Sequence, residues 1–444
     1  MMENILDKDF MTKTLYSDIQ ELLESRINSS LFNTSYPLSP SQWTHYIADI
    51  NLPFDWTLPI AFYIHIPFCK QLCSFCEYTK MCLPDENDQL RYVENTINDI
   101  RQFIAKHENI MLYGFDIGGG TPTALSEKTF AVLMNWFGGY IASANVLKDF
   151  EASIEATFQT LTINKIALIA ANGIKRVSLG LQSSSENVLK PLHRSVDSCQ
   201  NMSFAIQQLH QAGIDKVNID LMYGLPGQSI DTLIRDIATI KELNPEQVTI
   251  YEFRTNQLAH SFETNLEICY QQYCKLYDEL TNLGYNGVFG QNTFSKKVTD
   301  CGMSSYLRHR MFDGWQYKGF GISSQSMSQS GLSYNIGKNA PVSKYLSDSI
   351  LSYEATKSYI LPSQEVFAKF IAISGYSGGF SISAARQILG NEFDKIFQDT
   401  INFLLSTNLI NIKNDRLQLT QLGFRHYGAI LSLFHSPHTF KVFF

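Results

Sequence analysis

The 444-residue chain has no hydrophobic run long enough to cross a bilayer. Its most apolar stretch, Leu52 to Phe68, is interrupted by Asp55 and His65. The first ten residues, MMENILDKDF, are polar and acidic and unlike a secretory signal, so a cytoplasmic protein without a membrane span is expected. An excess of positive charge is lacking as well. Thirty-five Lys and Arg stand against 42 Asp and Glu, a formal net charge of −7. Without a global positive field, nucleic acid is not an expected partner, although a local basic pocket for a small anion stays open. No repeat of fixed period and no low-complexity tract is present. Nor are the eight cysteines spread as a disulfide scaffold would spread them. Cys69, Cys73, Cys76 and Cys82 lie close together, while Cys199, Cys269, Cys274 and Cys301 are scattered. In a reducing cytosol, a local cluster of thiols points to metal ligation.

What the chain does have is apolar material, 44% of residues, enough for a large core. Residues 1–60 read as an N-terminal arm, with one weak helix, LYSDIQELLESRI, and then a polar segment. From residue 61 a rhythm begins. Strand-like runs AFYIHI, YGFDIG, FEASIEA, RVSLGLQ, KVNIDLMYG and QVTIYEF alternate with segments of helical period. Asn172-Gly173 and Ala212-Gly213 supply helix-terminating glycines just before strands. Such alternation means right-handed βαβ units on a parallel sheet. The expected fold class is α/β, a partial (β/α)6 barrel over residues 61–260 with its chemistry at the C-terminal ends of the strands. Residues 261–362 read as an accessory, substrate-covering region, and 363–444 as a winged-helix-like α+β module. That module holds 7 basic and 5 acidic residues, so a structural or capping role is favoured over DNA binding.

The segment Tyr63-Ile-His-Ile-Pro-Phe-Cys69 follows the first strand and leads into Cys73 and Cys76, a C-x3-C-x2-C spacing. Cubane iron–sulfur clusters normally take four thiolates, so three ligands leave one iron open to chelate a cofactor or substrate. A zinc site with a distant fourth ligand or plain core cysteines are the alternatives. Zinc knuckles use paired C-x2-C units, however, and no second pair exists here. Cys82 is disfavoured as a fourth ligand.

This loop, placed after a first barrel strand, resembles the radical S-adenosylmethionine superfamily. The wider string YIHIPFC resembles its subgroup of oxygen-independent coproporphyrinogen III oxidases and heme chaperones. The likeness recurs in order: the glycine run Gly118-Gly119-Gly120-Thr121-Pro122 after the second strand, Glu155 ending the third, and Gln182 the fourth. Arg194 comes next, and then Asn218-Ile-Asp220-Leu-Met-Tyr223-Gly224. The resemblance implies a 4Fe–4S cluster on Cys69, Cys73 and Cys76, and S-adenosylmethionine, one molecule or two. It implies cofactor contacts from Tyr63, Gly119, Gly120, Thr121, Glu155, Gln182, Arg194 and Asp220, with Arg194 pairing the cofactor carboxylate as a fork. It further implies a reductant such as flavodoxin or ferredoxin, and a 5′-deoxyadenosyl radical acting on a porphyrin or related tetrapyrrole.

The chain departs from both relatives. Glu77-Tyr78 stands where the oxidases have a further Gly-Cys, which is closer to the acidic-aromatic pair of the chaperones. The His-Asn pair that the chaperones use toward heme is missing. The corresponding region runs Cys301-Gly-Met-Ser-Ser-Tyr306-Leu-Arg308-His309-Arg310. Arg308, His309 and Arg310 form a basic trio suited to substrate carboxylates such as propionates, or alternatively a solvated helix turn. Three outcomes follow: an oxidoreductase or decarboxylase acting on a tetrapyrrole, a methyltransferase using a second S-adenosylmethionine, or a heme-binding chaperone without turnover.

Overall fold

The computed structural model describes residues 44, 46–107, 109–253, 266–337, 341–347, 358–375 and 377–435. The helix expected in the N-terminal arm lies outside the described residues. Six parallel strands form where the alternation places them: β1 (Ile60–Ile66), β2 (Met111–Gly119), β3 (Asn145–Ala156), β4 (Arg176–Gln182), β5 (Lys216–Tyr223) and β6 (Gln247–Glu252). They neighbour one another in chain order. The crossovers are α1 (Glu86–Lys106), α2 (Glu127–Ile141), α3 (Ile163–Ala171), α4 (Cys199–Gln211) and α5 (Ile230–Leu243). Four of these helices start on a serine or threonine hydroxyl: Ser126, Thr162, Ser198 and Ser229 each accept an N3 amide, satisfying one orphan donor. Gly173 and Gly213 follow α3 and α4 at φ 83° and 85°, where a side chain would cost free energy.

The sheet does not stop at six strands. Beyond β6 it adds β7 (Thr293–Ser295), antiparallel, after α6 (Leu266–Asn282). On the other side of β1 it adds β8 (Tyr317–Phe320), parallel, and then β9 (Gln325–Ser328), β10 (Gly331–Tyr334) and β11 (Ser358–Ile360). With a two-residue edge strand at Ile47–Ala48, this makes one mixed sheet of 12 strands. The region expected to cover substrate therefore also builds the barrel wall.

Side-chain alternation sorts that wall into two faces. Phe62 of β1 and Phe115 of β2 point outward, and Phe62 packs edge-on to Phe103 of α1 with ring centroids 5.7 Å apart. Each such buried ring contributes on the order of 2 kcal/mol. The alternate positions line a polar lumen rather than the branched aliphatic filling of a closed barrel. Arg176 Nη1 donates to Ser153 Oγ (3.0 Å) and its Nε to Gln247 Oε1 (2.8 Å). Asn218 Nδ2 donates to Ser178 Oγ and to Asp220, both at 2.8 Å.

The floor of the lumen is α7 (Ser305–Phe312). It packs directly on β2, where a Cβ on Gly114 would lie 2.6 Å from the Tyr306 amide nitrogen. Beyond it come α8 (Ser363–Ser374), α9 (Ile382–Leu389) and α10 (Glu392–Ser406). A three-stranded antiparallel sheet accompanies them, made of β12 (Gly379–Ser381), β13 (Ile410–Lys413) and β14 (Arg416–Leu419), with β14 central. The short Gly379–Ser381 segment pairs with β14 on one side, and Ile410–Lys413 pairs with it on the other. Ser374 Oγ donates to the Met311 carbonyl (2.6 Å), and Tyr427 OH donates to Glu252 (2.8 Å), so this unit grips both α7 and β6. No described helix is long and apolar enough to cross a membrane.

Candidate active site

The cysteine loop leaves β1 at its C-terminal end and is held by its own backbone. Phe68–Cys69 pairs in parallel with Met81–Cys82, and the Ser74 amide donates to the Leu192 carbonyl at 3.2 Å. Lys80 turns back into the loop, its Nζ donating to the carbonyls of Cys73 (2.8 Å) and Cys76 (2.6 Å). Cys69 and Cys73 are buried, Cys76 is half-buried, and none of the three is in a disulfide. Burial pushes the Cys69 thiol up to about 11, with the Thr121 hydroxyl opposing the shift. Cys76 is raised by burial too, against the nearby Lys80 ammonium. Cys82 is exposed.

The glycine run of β2 sits against this loop, and its requirement lies in the chain's own packing. A Cβ on Gly120 would lie 2.7 Å from the Pro67 carbonyl carbon and 2.9 Å from Cys69 Sγ. Gly119 has φ 116°, and a Cβ there would meet the His65 ring at 2.5 Å. At Gly118 it would meet the Glu155 carboxyl at 2.6 Å. The amides of Gly120 and Thr121 donate to Ile66 and Phe68 carbonyls at 2.7 and 2.8 Å, and Thr121 Oγ1 lies 3.7 Å from Cys69 Sγ.

Strand ends bring further polar groups to the same lumen. Glu155 receives the Gly119 N–H at 3.0 Å. Its side chain stays accessible from the lumen although protein surrounds it, and burial raises the carboxyl to about 7. Asp220 is raised by burial, with Arg176 and the Ser178 hydroxyl opposing. Gln182 ends β4 at φ 68°, a strained value for a non-glycine residue. Arg194 donates through Nη2 to the Gly180 carbonyl and places Nη1 3.6 Å from Cys73 Sγ. Its guanidinium therefore bridges the cysteine loop and β4. Tyr63 stacks on Tyr306 with centroids 6.0 Å apart.

The basic trio of α7 separates in the structure. Arg308 pairs with Asp149 at the surface. His309 is buried, donates from Nδ1 to Asp313 and stacks flat on Trp315 at 4.1 Å. Arg310 alone turns among tyrosines.

Other lumen residues escaped sequence reasoning. His65 Nε2 donates to the Thr79 carbonyl at 2.8 Å, which fixes its tautomer, and burial lowers it to about 4. Asp116 accepts from Ser304 Oγ at 2.6 Å, and burial raises it to about 7. Strand alternation from Gly118 was the available signal for Asp116, and alternation back along β4 from Gly180 through Ser178 was the signal for Arg176. Nothing in the local sequence marks Lys80.

The arrangement fits a cluster with a small cofactor beside it. Ser74 Oγ and Glu77 Oε1, both in the cysteine loop, are buried polar atoms without a partner, and such atoms mark a missing neighbour. Among the described residues, no three His, Cys, Asp or Glu side chains are grouped as ligands of a single metal ion. A cubane spreads its thiolates over separate irons.

Residues 63–240 match the Radical SAM superfamily. The chain is 25% identical over 388 residues to the heme chaperone HemW of Bacillus subtilis, covering 83% of this chain and 98% of that one. It is 29% identical over 229 residues to the oxygen-independent coproporphyrinogen III oxidase of Cereibacter sphaeroides, where the match covers half of this chain and only 49% of the relative. The fold is similar to that of coproporphyrinogen III oxidase (HemN) from Escherichia coli, with TM-score 0.68 and 20% identity over 89% of this chain and 92% of that one. Residues 63–240 thus match the radical SAM superfamily, and the chain is similar to the heme chaperones and the oxygen-independent coproporphyrinogen III oxidases. The radical SAM superfamily implies a 4Fe–4S cluster and S-adenosylmethionine.

Proposed function

We propose that the chain is a radical S-adenosylmethionine enzyme acting on a porphyrin or related tetrapyrrole. The observation that carries this reading is the meeting of three unpaired thiols with a polar, carboxyl-lined lumen at one end of the sheet. Cys69, Cys73 and Cys76 would hold the cluster, leaving one iron for the cofactor's amino and carboxylate groups. The chemistry supplied when both are bound is reductive cleavage of the sulfonium to a 5′-deoxyadenosyl radical, which abstracts a substrate hydrogen.

The chain's own residues prepare that event. Glu155, whose carboxyl burial raises to about 7, would hold a positively charged group of the cofactor as a carboxylate. Arg194 holds positive charge beside Cys73, where thiolate charge gathers. Asp220 is kept in one orientation by Ser178 and Asn218. The α7 floor excludes bulk water from below. Gln182 and Thr121 complete the rim.

The names of the relatives cover both catalysis and heme transfer. The absence of the His-Asn pair supports turnover over heme storage. The test is anaerobic turnover of reconstituted protein with reductant, S-adenosylmethionine and coproporphyrinogen III. Formation of 5′-deoxyadenosine that depends on the porphyrinogen supports the reading, and released CO2 or S-adenosylhomocysteine assigns decarboxylation or methyl transfer. Stoichiometric heme binding with no 5′-deoxyadenosine would overturn it in favour of a chaperone.

A further inference from the structure

Arg310 differs from every other charged group around the lumen in its company. Its guanidinium lies over the Tyr317 ring (4.5 Å) and the Tyr306 ring (5.6 Å), and Nη1 donates to Tyr306 OH at 2.9 Å. Nε is buried without a partner. No described carboxylate lies within ion-pair distance, whereas Arg308 and His309 on the same helix are both taken up by aspartates. The neighbouring Tyr113 hydroxyl is likewise buried and unpaired.

A half-buried cation without an anion is costly, and aromatic faces offset only part of that cost. A guanidinium presents five donors in a planar fork matched to a carboxylate. Here Nε has no partner, and the rings of Tyr306 and Tyr317 are themselves buried against the guanidinium and hold it in place. A ligand that meets this feature carries a carboxylate.

We infer that Arg310 is the anchor for a substrate carboxylate, its guanidinium held in place by the faces of Tyr306 and Tyr317. This deepens the proposed function and rests on it for the choice of a flat polycarboxylate. Arg308 and His309 play no part in binding; they hold α7 to β3 and to Trp315.

Binding of coproporphyrin III and of its tetramethyl ester to the anaerobically reconstituted full chain, followed by fluorescence quenching, tests this. Arg310→Met, Arg310→Lys and Arg308→Gln are compared, with 2-naphthoate as a carboxylate that is not a porphyrin. The wild type is expected to bind the acid about ten- to a hundredfold more tightly than the ester. Arg310→Met removes that preference, Arg310→Lys keeps part of it, and Arg308→Gln leaves it intact. Should Arg310→Met fail to fold, the acid-to-ester ratio of the wild type and its change in Arg310→Lys still decide. Equal binding of acid and ester by every variant overturns the inference and leaves the tetrapyrrole reading standing. Arg310-dependent binding of 2-naphthoate with no porphyrin binding does the reverse. No binding of any probe overturns both.

Discussion

At the scale of single residues, the lumen is defined by groups whose protonation the protein has moved. Asp116 is the simplest case. Burial raises its carboxyl to about 7, and the Ser304 hydroxyl and Arg176 recover only part of the cost. Its folded value lies above the ordinary carboxyl value of about 4 in an unfolded chain. Between those two pH values the native state holds the extra proton, so stability falls as pH rises from about 4 to about 7. Asn at this position keeps an acceptor for Ser304 and removes the charge. Asp116→Asn is therefore expected to unfold at higher urea than the wild type at pH 8 and at nearly the same urea at pH 5. Glu155 and Asp220 are raised in the same sense, so the slope of the wild type is reduced in the variant and not abolished. Parallel pH profiles for the two proteins would show that Asp116 does not carry this charge.

Among the elements, the cysteine loop depends on contacts its sequence does not announce. C-x3-C-x2-C spacing marks the three cysteines proposed as ligands, and the strand before them places the loop at the C-terminal end of the sheet. Lys80 was invisible because its role arises only when the loop folds back and offers two carbonyls to one ammonium. Hydrogen bonds to a charged group contribute about 1.5–3 kcal/mol each. Lys80→Met is expected to bind its iron less firmly, losing it to a chelator several times faster, with the helix signal of the barrel unchanged. Equal iron loss would mean that the pairing across Phe68–Cys69 and Met81–Cys82 suffices. The glycine run was legible as a close approach, but the approaching groups are His65, Glu155 and Cys69 of the chain itself. The trio on α7 was legible only as charge. Adjacent helix positions point about 100° apart, and Asp149, which claims Arg308, comes from β3, while Asp313 and Trp315, which hold His309, follow at the end of the same helix.

For the molecule as a whole, alternating strand and helix patterns placed all six parallel strands and their crossovers, since each outward face carries a regular apolar signal toward a helix. The strands that continue the sheet on either side are two to four residues long and rich in Ser and Tyr. Segments so short hold no periodicity to read, and they are strands because the barrel edge supplies their hydrogen bonds. The result is a sheet whose outside is a conventional core and whose inside is a polar chamber. The cysteine loop stands at one end of that chamber and α7 closes the other. The proposed function depends on the chamber being built around a cluster. Iron and sulfide analysis of the anaerobically reconstituted chain, with electron paramagnetic resonance of the reduced protein before and after S-adenosylmethionine, measures this directly. The account predicts about four irons and four sulfides per chain, a reduced-cluster signal that changes when S-adenosylmethionine is added, and loss of both when Cys69, Cys73 and Cys76 are replaced by alanine. A single bound zinc, or a signal indifferent to those three substitutions, would contradict it.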